Sequence, residues 1–137
     1  MTGNWAIPAI ATFIFWGLMV FLPKLTVGHI PPSSAIIYEV LGGVTVALIT
    51  LASLKFHPEF DVRGALLSYF VGIVGFLGTL AYFYAVSKGP VAIVSVITGL
   101  YPAIAVLLGI VFLHEPLTWR QGLGCLMALG GVALLSH

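Results

Sequence analysis

The sequence predicts an all-α integral membrane protein, and its composition and the form of its apolar segments carry that prediction. Hydrophobic residues make up 61% of the 137 positions and charged residues only 7%, whereas about a quarter of the residues of a soluble domain are charged. The apolar segments are continuous rather than alternating, and they are too few to close a β-barrel. A single multi-pass helical domain over residues 1–137 is therefore expected.

Five apolar segments approach the roughly 20 helical residues that cross a bilayer core of about 30 Å. They lie at about residues 5–22, 34–54, 64–87, 91–113 and 117–136. No Lys or Arg precedes the first segment and no small-residue cleavage site follows it, so it is expected to remain as a helix. The fifth has the shortest uninterrupted apolar part, and it needs Trp119 at the interface in order to span.

The first two connectors predict where helices two and three begin. Pro31 and Pro32 precede two serines, either of which is available as the N-cap of helix two. The second connector, residues 55–63, is the most polar stretch of the chain. Asp61, near its end, is placed to cap helix three.

The last two connectors are shorter. Lys88-Gly89-Pro90 is a turn so tight that helices three and four are expected to form an antiparallel hairpin, with glycine ending one helix and proline opening the next. Thr118 and Gln121 have the spacing of a capping box. This spacing places the start of the fifth helix at Trp119 and Arg120.

Glu39 is the only acidic residue inside a long apolar segment, and it is the first candidate for a functional residue. A carboxylate at membrane depth is costly, and it occurs mainly where it faces a bundle interior or a substrate path. Such an acid could exchange a proton for a cationic or polar substrate. Alternatively, because Glu39 lies only about 8 Å inside its segment, it could reach the headgroup region or pair with Lys24 or Lys88.

Small and polar residues recur on one face of helix three, at Ser68, Gly72, Gly75, Thr79 and Tyr82. Their steps of three and four residues place them on one side of the helix. Small residues at this spacing favour close helix packing in lipid, with a direct ligand role as the alternative for the glycines. Tyr82 is bulkier, and it is a candidate for substrate binding.

Pro102 lies near the middle of helix four and predicts a bend there. It cannot donate a hydrogen bond to the carbonyl of Thr98, and its ring clashes with that turn. Carbonyls freed at membrane depth either line a cavity or find other partners. Pro102 therefore indicates either a binding site, which would include Thr98 and Tyr101, or a structural bend.

Together these motifs resemble the EamA repeat of the drug/metabolite transporter superfamily, over essentially the whole chain. The matching stretches are Trp16-Gly17, Ala81 to Ala85, Lys88 to Val94, Leu100 to Pro102, Leu113 to Gly122 and Gly130 to Val132. Most members of the superfamily contain two five-helix repeats of inverted orientation. This chain is similar to the half-sized, five-helix bacterial and archaeal members.

The resemblance implies small-molecule transport by alternating access in a bacterial or archaeal cytoplasmic membrane, with the substrate site near the midplane. The expected substrate-binding residues are Glu39, Trp16, Tyr82, Thr98 and Tyr101. Glu115, Gln121 and Gly122 belong to the family motif, and a structural role at the membrane edge is expected for them. An exporter of metabolites or drugs is favoured over a lipid-linked-sugar flippase or a non-transporting membrane subunit. No enzymatic activity, cofactor or metal site is expected.

The positive charges predict an uncommon assembly. Five crossings would place Lys55, Arg63 and Arg120 on one side of the membrane and Lys24 and Lys88 on the other. Such a slight bias barely selects one orientation. Two oppositely inserted copies would recreate an inverted repeat, so an antiparallel homodimer or an inverted paralogous partner is expected, with a parallel dimer as the alternative. The net charge of +1 gives no reason to expect a nucleic-acid partner.

Overall fold

The computed structural model describes residues 5–114, 116 and 118–135, and the described residues form six helices and no strand. The helices are α1 (Ala6–Thr26), α2 (Pro32–Ser53), α3 (Val62–Lys88), α4 (Val91–Thr98), α5 (Tyr101–Leu113) and α6 (Trp119–Leu135). Four segments of the described chain are long and apolar enough to cross a membrane: α1, α2, α3, and α4 with α5. The predicted all-α membrane class is confirmed. A fifth crossing by α6, which has 17 residues, stays a prediction.

The first connector differs from its prediction at both ends. α1 continues through Pro23 to Thr26, and the N–H of Val27 still donates to the Pro23 carbonyl at 3.0 Å. α2 begins at Pro32, after the extended backbone of Pro31, and no side chain caps it. The prediction of a serine N-cap was therefore wrong. Proline suits the first helical position because the N–H that it lacks would have no helical partner there.

At three other connectors the helix ends lie where the sequence motifs placed them. One carboxylate oxygen of Asp61 accepts a hydrogen bond from the N–H of Gly64 at 2.8 Å, which is the geometry of an N-cap. α3 ends at Lys88, and α4 begins directly after Pro90. α6 begins at Trp119, as the capping-box spacing predicts.

The fourth apolar segment is interrupted at Gly99 and Leu100, and Pro102 lies in the first turn of α5. The expected opening is thus present, one turn before the proline. The N–H of Leu100 bonds to the carbonyl of Ile97 at 3.2 Å, three residues back, so the chain tightens here before the helix resumes. A Cβ at position 99 would lie 3.0 Å from the Ser95 carbonyl oxygen, so a larger residue would require that carbonyl to shift by a few tenths of an ångström.

The helices form two compact units, α1 to α3 and α4 to α6. In the first unit α3 contacts both α1 and α2, and in the second α4 contacts α6. The glycines on the small-residue face of α3 do not make the expected close contact, since a Cβ on Gly72 or Gly75 would have no neighbouring atom within 4 Å. The close approach of α2 and α3 occurs instead at Gly43, where a Cβ would lie 3.5 Å from the Phe76 ring.

Candidate functional site

Glu39 lies on the inner face of α2. It is half-buried and seven residues, or about 10 Å, from the start of that helix. Ala35, one turn earlier, is buried, and Gly43, one turn later, faces the Phe76 ring of α3. Residues four apart share a helical face, so the carboxylate lies on the face of α2 that carries the buried Ala35 and the approach of Gly43 to Phe76. This depth exceeds the depth of about 8 Å expected from the sequence, because α2 begins at Pro32 rather than at Ser34.

The carboxylate of Glu39 has no hydrogen bond or ion pair with any residue in the described part of the chain. The ammonium of Lys24, which the sequence offered as a partner, donates to the main-chain carbonyl of Val86 at 2.7 Å. The serine and threonine hydroxyls that form hydrogen bonds within the described spans behave differently, since they bond to carbonyls of their own helices. Thr45, for example, donates to the Leu41 carbonyl at 2.9 Å. Glu39 is therefore an acid inside a span without a structural partner among the described residues.

Tyr82 reaches from α3 to α1. Its hydroxyl donates to the main-chain carbonyl of Val20 at 2.7 Å. Val20 is one helical turn after Trp16, and Trp16 is the central residue of α1 with half of its surface exposed. The structure thus brings Tyr82 and Trp16, two of the predicted site residues, to neighbouring turns of one helix interface. Their role in substrate binding stays a prediction.

Thr98 and Tyr101 flank the interruption in the second unit. The hydroxyl of Thr98 donates to the Val94 carbonyl at 2.9 Å and lies 3.2 Å from the Ser95 carbonyl oxygen. Tyr101 is the first residue of α5, and half of its surface is exposed. The hydroxyl of Thr98 therefore adds a second donor near the end of α4, where the Ser95 carbonyl also accepts the N–H of Gly99 at 2.8 Å. Whether this region also binds substrate stays a prediction.

The sequence of the chain matches a known family from end to end. The profile of the EamA-like transporter family matches residues 3–137. The chain belongs to this family. As an EamA-like transporter it is a multi-pass membrane protein from a family of transporters, not of enzymes, which confirms the resemblance seen in the sequence motifs.

Two relatives of this EamA-like transporter differ in length. The uncharacterized protein MJ1333.1 of Methanocaldococcus jannaschii is 31% identical over 125 residues, which cover 90% of this chain and 89% of that protein. The uncharacterized transporter YyaM of Bacillus subtilis is 34% identical over 125 residues, which cover 89% of this chain but only 41% of YyaM. No solved structure matches the chain.

The family motif at the start of α6 is described only in part. Glu115 and the side chain of Gln121 lie outside the described residues, so their expected structural role stays a prediction. Gly122 is half-buried in the first turn of α6, and its N–H donates to the Thr118 carbonyl at 3.0 Å. Among the described residues, no group of three His, Cys, Asp or Glu side chains is arranged to hold a metal ion.

Proposed function

We propose that this EamA-like transporter exports a small metabolite or drug-like molecule by alternating access, and that protons moving through Glu39 drive the export. Membership of the family supports transport. The placement of Glu39 supports the coupling. A functional acid must lie deep enough to be shielded from bulk water, and it must lack a permanent partner that would fix its charge.

Glu39 meets both conditions in the described part of the chain. It is half-buried about 10 Å along α2, and it has no hydrogen-bonded or ionic partner there. Because no main-chain or basic group holds the carboxylate, protonation and substrate binding can compete for it directly. A cationic or polar substrate would bind the ionised form, and a proton arriving from the opposite side would release that substrate. Through this competition, each Glu39 carboxylate would exchange one proton for one bound substrate molecule.

The proposed substrate class follows from the carboxylate of Glu39. An acid in an otherwise apolar span selects a molecule with a cationic or hydrogen-donating group and an apolar body. Trp16 and Tyr82, at neighbouring turns of the α1–α3 interface, would supply aromatic surface for such a molecule.

A ligand screen over several chemical classes tests this proposal. The purified protein is heated with amino acids, nucleosides, polyamines or cationic drugs, and its unfolding midpoint is measured. A ligand at 100 times its dissociation constant stabilises the folded protein by about 2.7 kcal/mol. A cationic compound should raise the midpoint of the unmodified protein and leave that of Glu39→Gln unchanged. An equal rise in both proteins would remove Glu39 from the site.

We also propose that the transporter works as a dimer of oppositely inserted copies. The chain aligns with 41% of YyaM, so a second copy could occupy the place of the remainder of that longer relative. The positive charges at the two membrane surfaces are nearly balanced, which permits both orientations. An inverted paralogous partner would satisfy the same reasoning.

The orientation of the C-terminus tests this assembly. A topology reporter fused there should give signal from both sides of the membrane in one population of cells. Adding one arginine to the loop at residues 55–61 should shift the ratio towards one side. A single orientation, together with a parallel cross-linked dimer, would contradict the antiparallel assembly but not the role of Glu39.

A further inference from the structure

Two hydrogen bonds cross between α1 and α3 near one end of the first unit. The hydroxyl of Tyr82 on α3 donates to the Val20 carbonyl of α1, and the ammonium of Lys24 on α1 donates to the Val86 carbonyl of α3, each at 2.7 Å. On each helix the donor and the acceptor are one turn apart. The two bonds therefore run in opposite directions across one interface, and we call them the α1–α3 latch.

The position of Lys24 explains why its bond is favourable. Val86 lies in the last turn of α3, where carbonyls have no helical N–H to accept from. Lys24 lies in the last turn of α1. Its positive charge therefore lies at the carbonyl ends of two helices at once, where the helix dipoles favour a cation.

The bond from Tyr82 meets α1 where a proline interrupts its hydrogen bonding. Pro23 has no N–H, so the Met19 carbonyl has no helical donor. Val20 is the next residue, and its carbonyl accepts the Tyr82 hydroxyl. Both bonds of the latch come from side chains and lie outside the main-chain pattern of the helices, so they can break without loss of regular helical hydrogen bonds.

Burial in the first unit is concentrated at the end that carries the latch. Its buried residues are Pro23, Ala35, Phe83 and Val86. The first two lie on either side of the loop at residues 27–31, and the other two lie near the end of α3. In contrast, every residue in the ranges 41–50 and 61–71 is exposed. The three helices are closely packed at the latch and loosely packed towards the other end.

We infer that the α1–α3 latch is a gate: Lys24 and Tyr82 hold this end of the first unit closed, and release of their two bonds opens it during transport. Both residues act as positioning residues for the movement. The inference rests on the proposed alternating-access function, since a gate has a purpose only if the two ends open in turn. In this gate Lys24 controls a helix movement, whereas a lysine that only anchors a helix at the membrane surface would not affect it.

Thiol labelling measures the state of the gate directly. Ala35 is 2% exposed, so a cysteine there, in a Cys125→Ala background, should react slowly with a membrane-impermeant maleimide. Tyr82→Phe or Lys24→Met should increase the labelling rate at position 35 at least tenfold. Lys24→Arg retains a charged donor and should restore slow labelling.

Two matched variants control for general loosening of the helices. Tyr84→Phe removes the same hydroxyl two residues further along α3. Thr26→Val removes a hydroxyl of α1 that bonds to the Leu22 carbonyl of its own helix, at 3.2 Å. Neither should change labelling at position 35. A cysteine in place of Val86, which has no exposed surface, provides a second reporter if the first variant folds poorly.

The possible outcomes separate the gate from the transport proposal. Fast labelling in the two latch variants alone supports the gate. Unchanged labelling in them, or an equal increase in the Tyr84→Phe and Thr26→Val controls, overturns it. Because labelling needs no substrate, failure of the gate leaves the Glu39 proposal intact. Failure of the ligand screen likewise leaves the labelling result interpretable.

Discussion

Replacing Glu39 with glutamine should separate the stability of this transporter from its activity. Glutamine keeps the size of the side chain but removes the charge and the titratable group. A charged carboxyl at the centre of a membrane helix costs roughly 2.5 to 3.5 kcal/mol on insertion scales. Glu39 lies about 5 Å from the middle of α2 and is half-buried rather than exposed to lipid. We therefore expect Glu39→Gln to stabilise the fold by about 0 to 2 kcal/mol.

The gain is expected because no bond of Glu39 in the described chain is lost. The unfolding midpoint of the purified protein in detergent should stay constant or rise by a few degrees. Proton-coupled transport by the same protein in liposomes should fall tenfold or more, and the remainder should not vary with pH. Glu59→Gln, which neutralises an exposed loop carboxylate, should change neither quantity. A clear loss of stability with transport retained would show that Glu39 has a structural partner and no part in coupling.

Three further predictions concern helix packing, a helix cap and the interruption between α4 and α5. Gly43→Ile should destabilise the protein by about 1 to 3 kcal/mol, because the isoleucine side chain would overlap the Phe76 ring on α3. Gly75→Ile places its side chain in open space and should destabilise the protein much less. A lower unfolding midpoint for Gly75→Ile than for Gly43→Ile would contradict the observed packing. Asp61→Ala should cost about 1 kcal/mol by removing the N-cap, whereas Asp61→Asn should retain most of it. Cysteines at positions 98 and 101 should react with a small polar thiol reagent and be protected by substrate; if both stay inert while loop cysteines react, the break is only structural.

The helices themselves were largely predictable, because continuous apolar segments of about 20 residues have few alternatives in a bilayer. The local capping groups were also accessible to sequence reasoning, as Asp61 shows. The helix ends near Pro23 and Pro32 were not predicted correctly, although α4 does begin after Pro90 as expected. α1 continues past Pro23 because the N–H of Val27 still reaches the Pro23 carbonyl. α2 starts at Pro32 because proline needs no helical partner for its own nitrogen.

The residues of the candidate site were also predictable only in part. Glu39 was identifiable as an isolated charge in an apolar segment. Lys24 was not identified as a positioning residue, because its acceptor is a main-chain carbonyl 62 residues away, and a main-chain acceptor leaves no side-chain pattern in the sequence. The glycines of α3 suggested close packing, yet the contact with α2 uses Gly43. Periodicity identifies a face, but only the paired helix determines which face is covered.

The most direct test of the account is transport by the purified protein alone. The protein is reconstituted into liposomes with an imposed pH gradient, and the movement of a cationic compound from the ligand screen is followed together with the internal pH. The account predicts that substrate and protons move in opposite directions, and that Glu39→Gln abolishes both movements while the protein remains folded. Substrate movement that is unaffected by Glu39→Gln, or no movement by the unmodified protein despite specific binding, would contradict it.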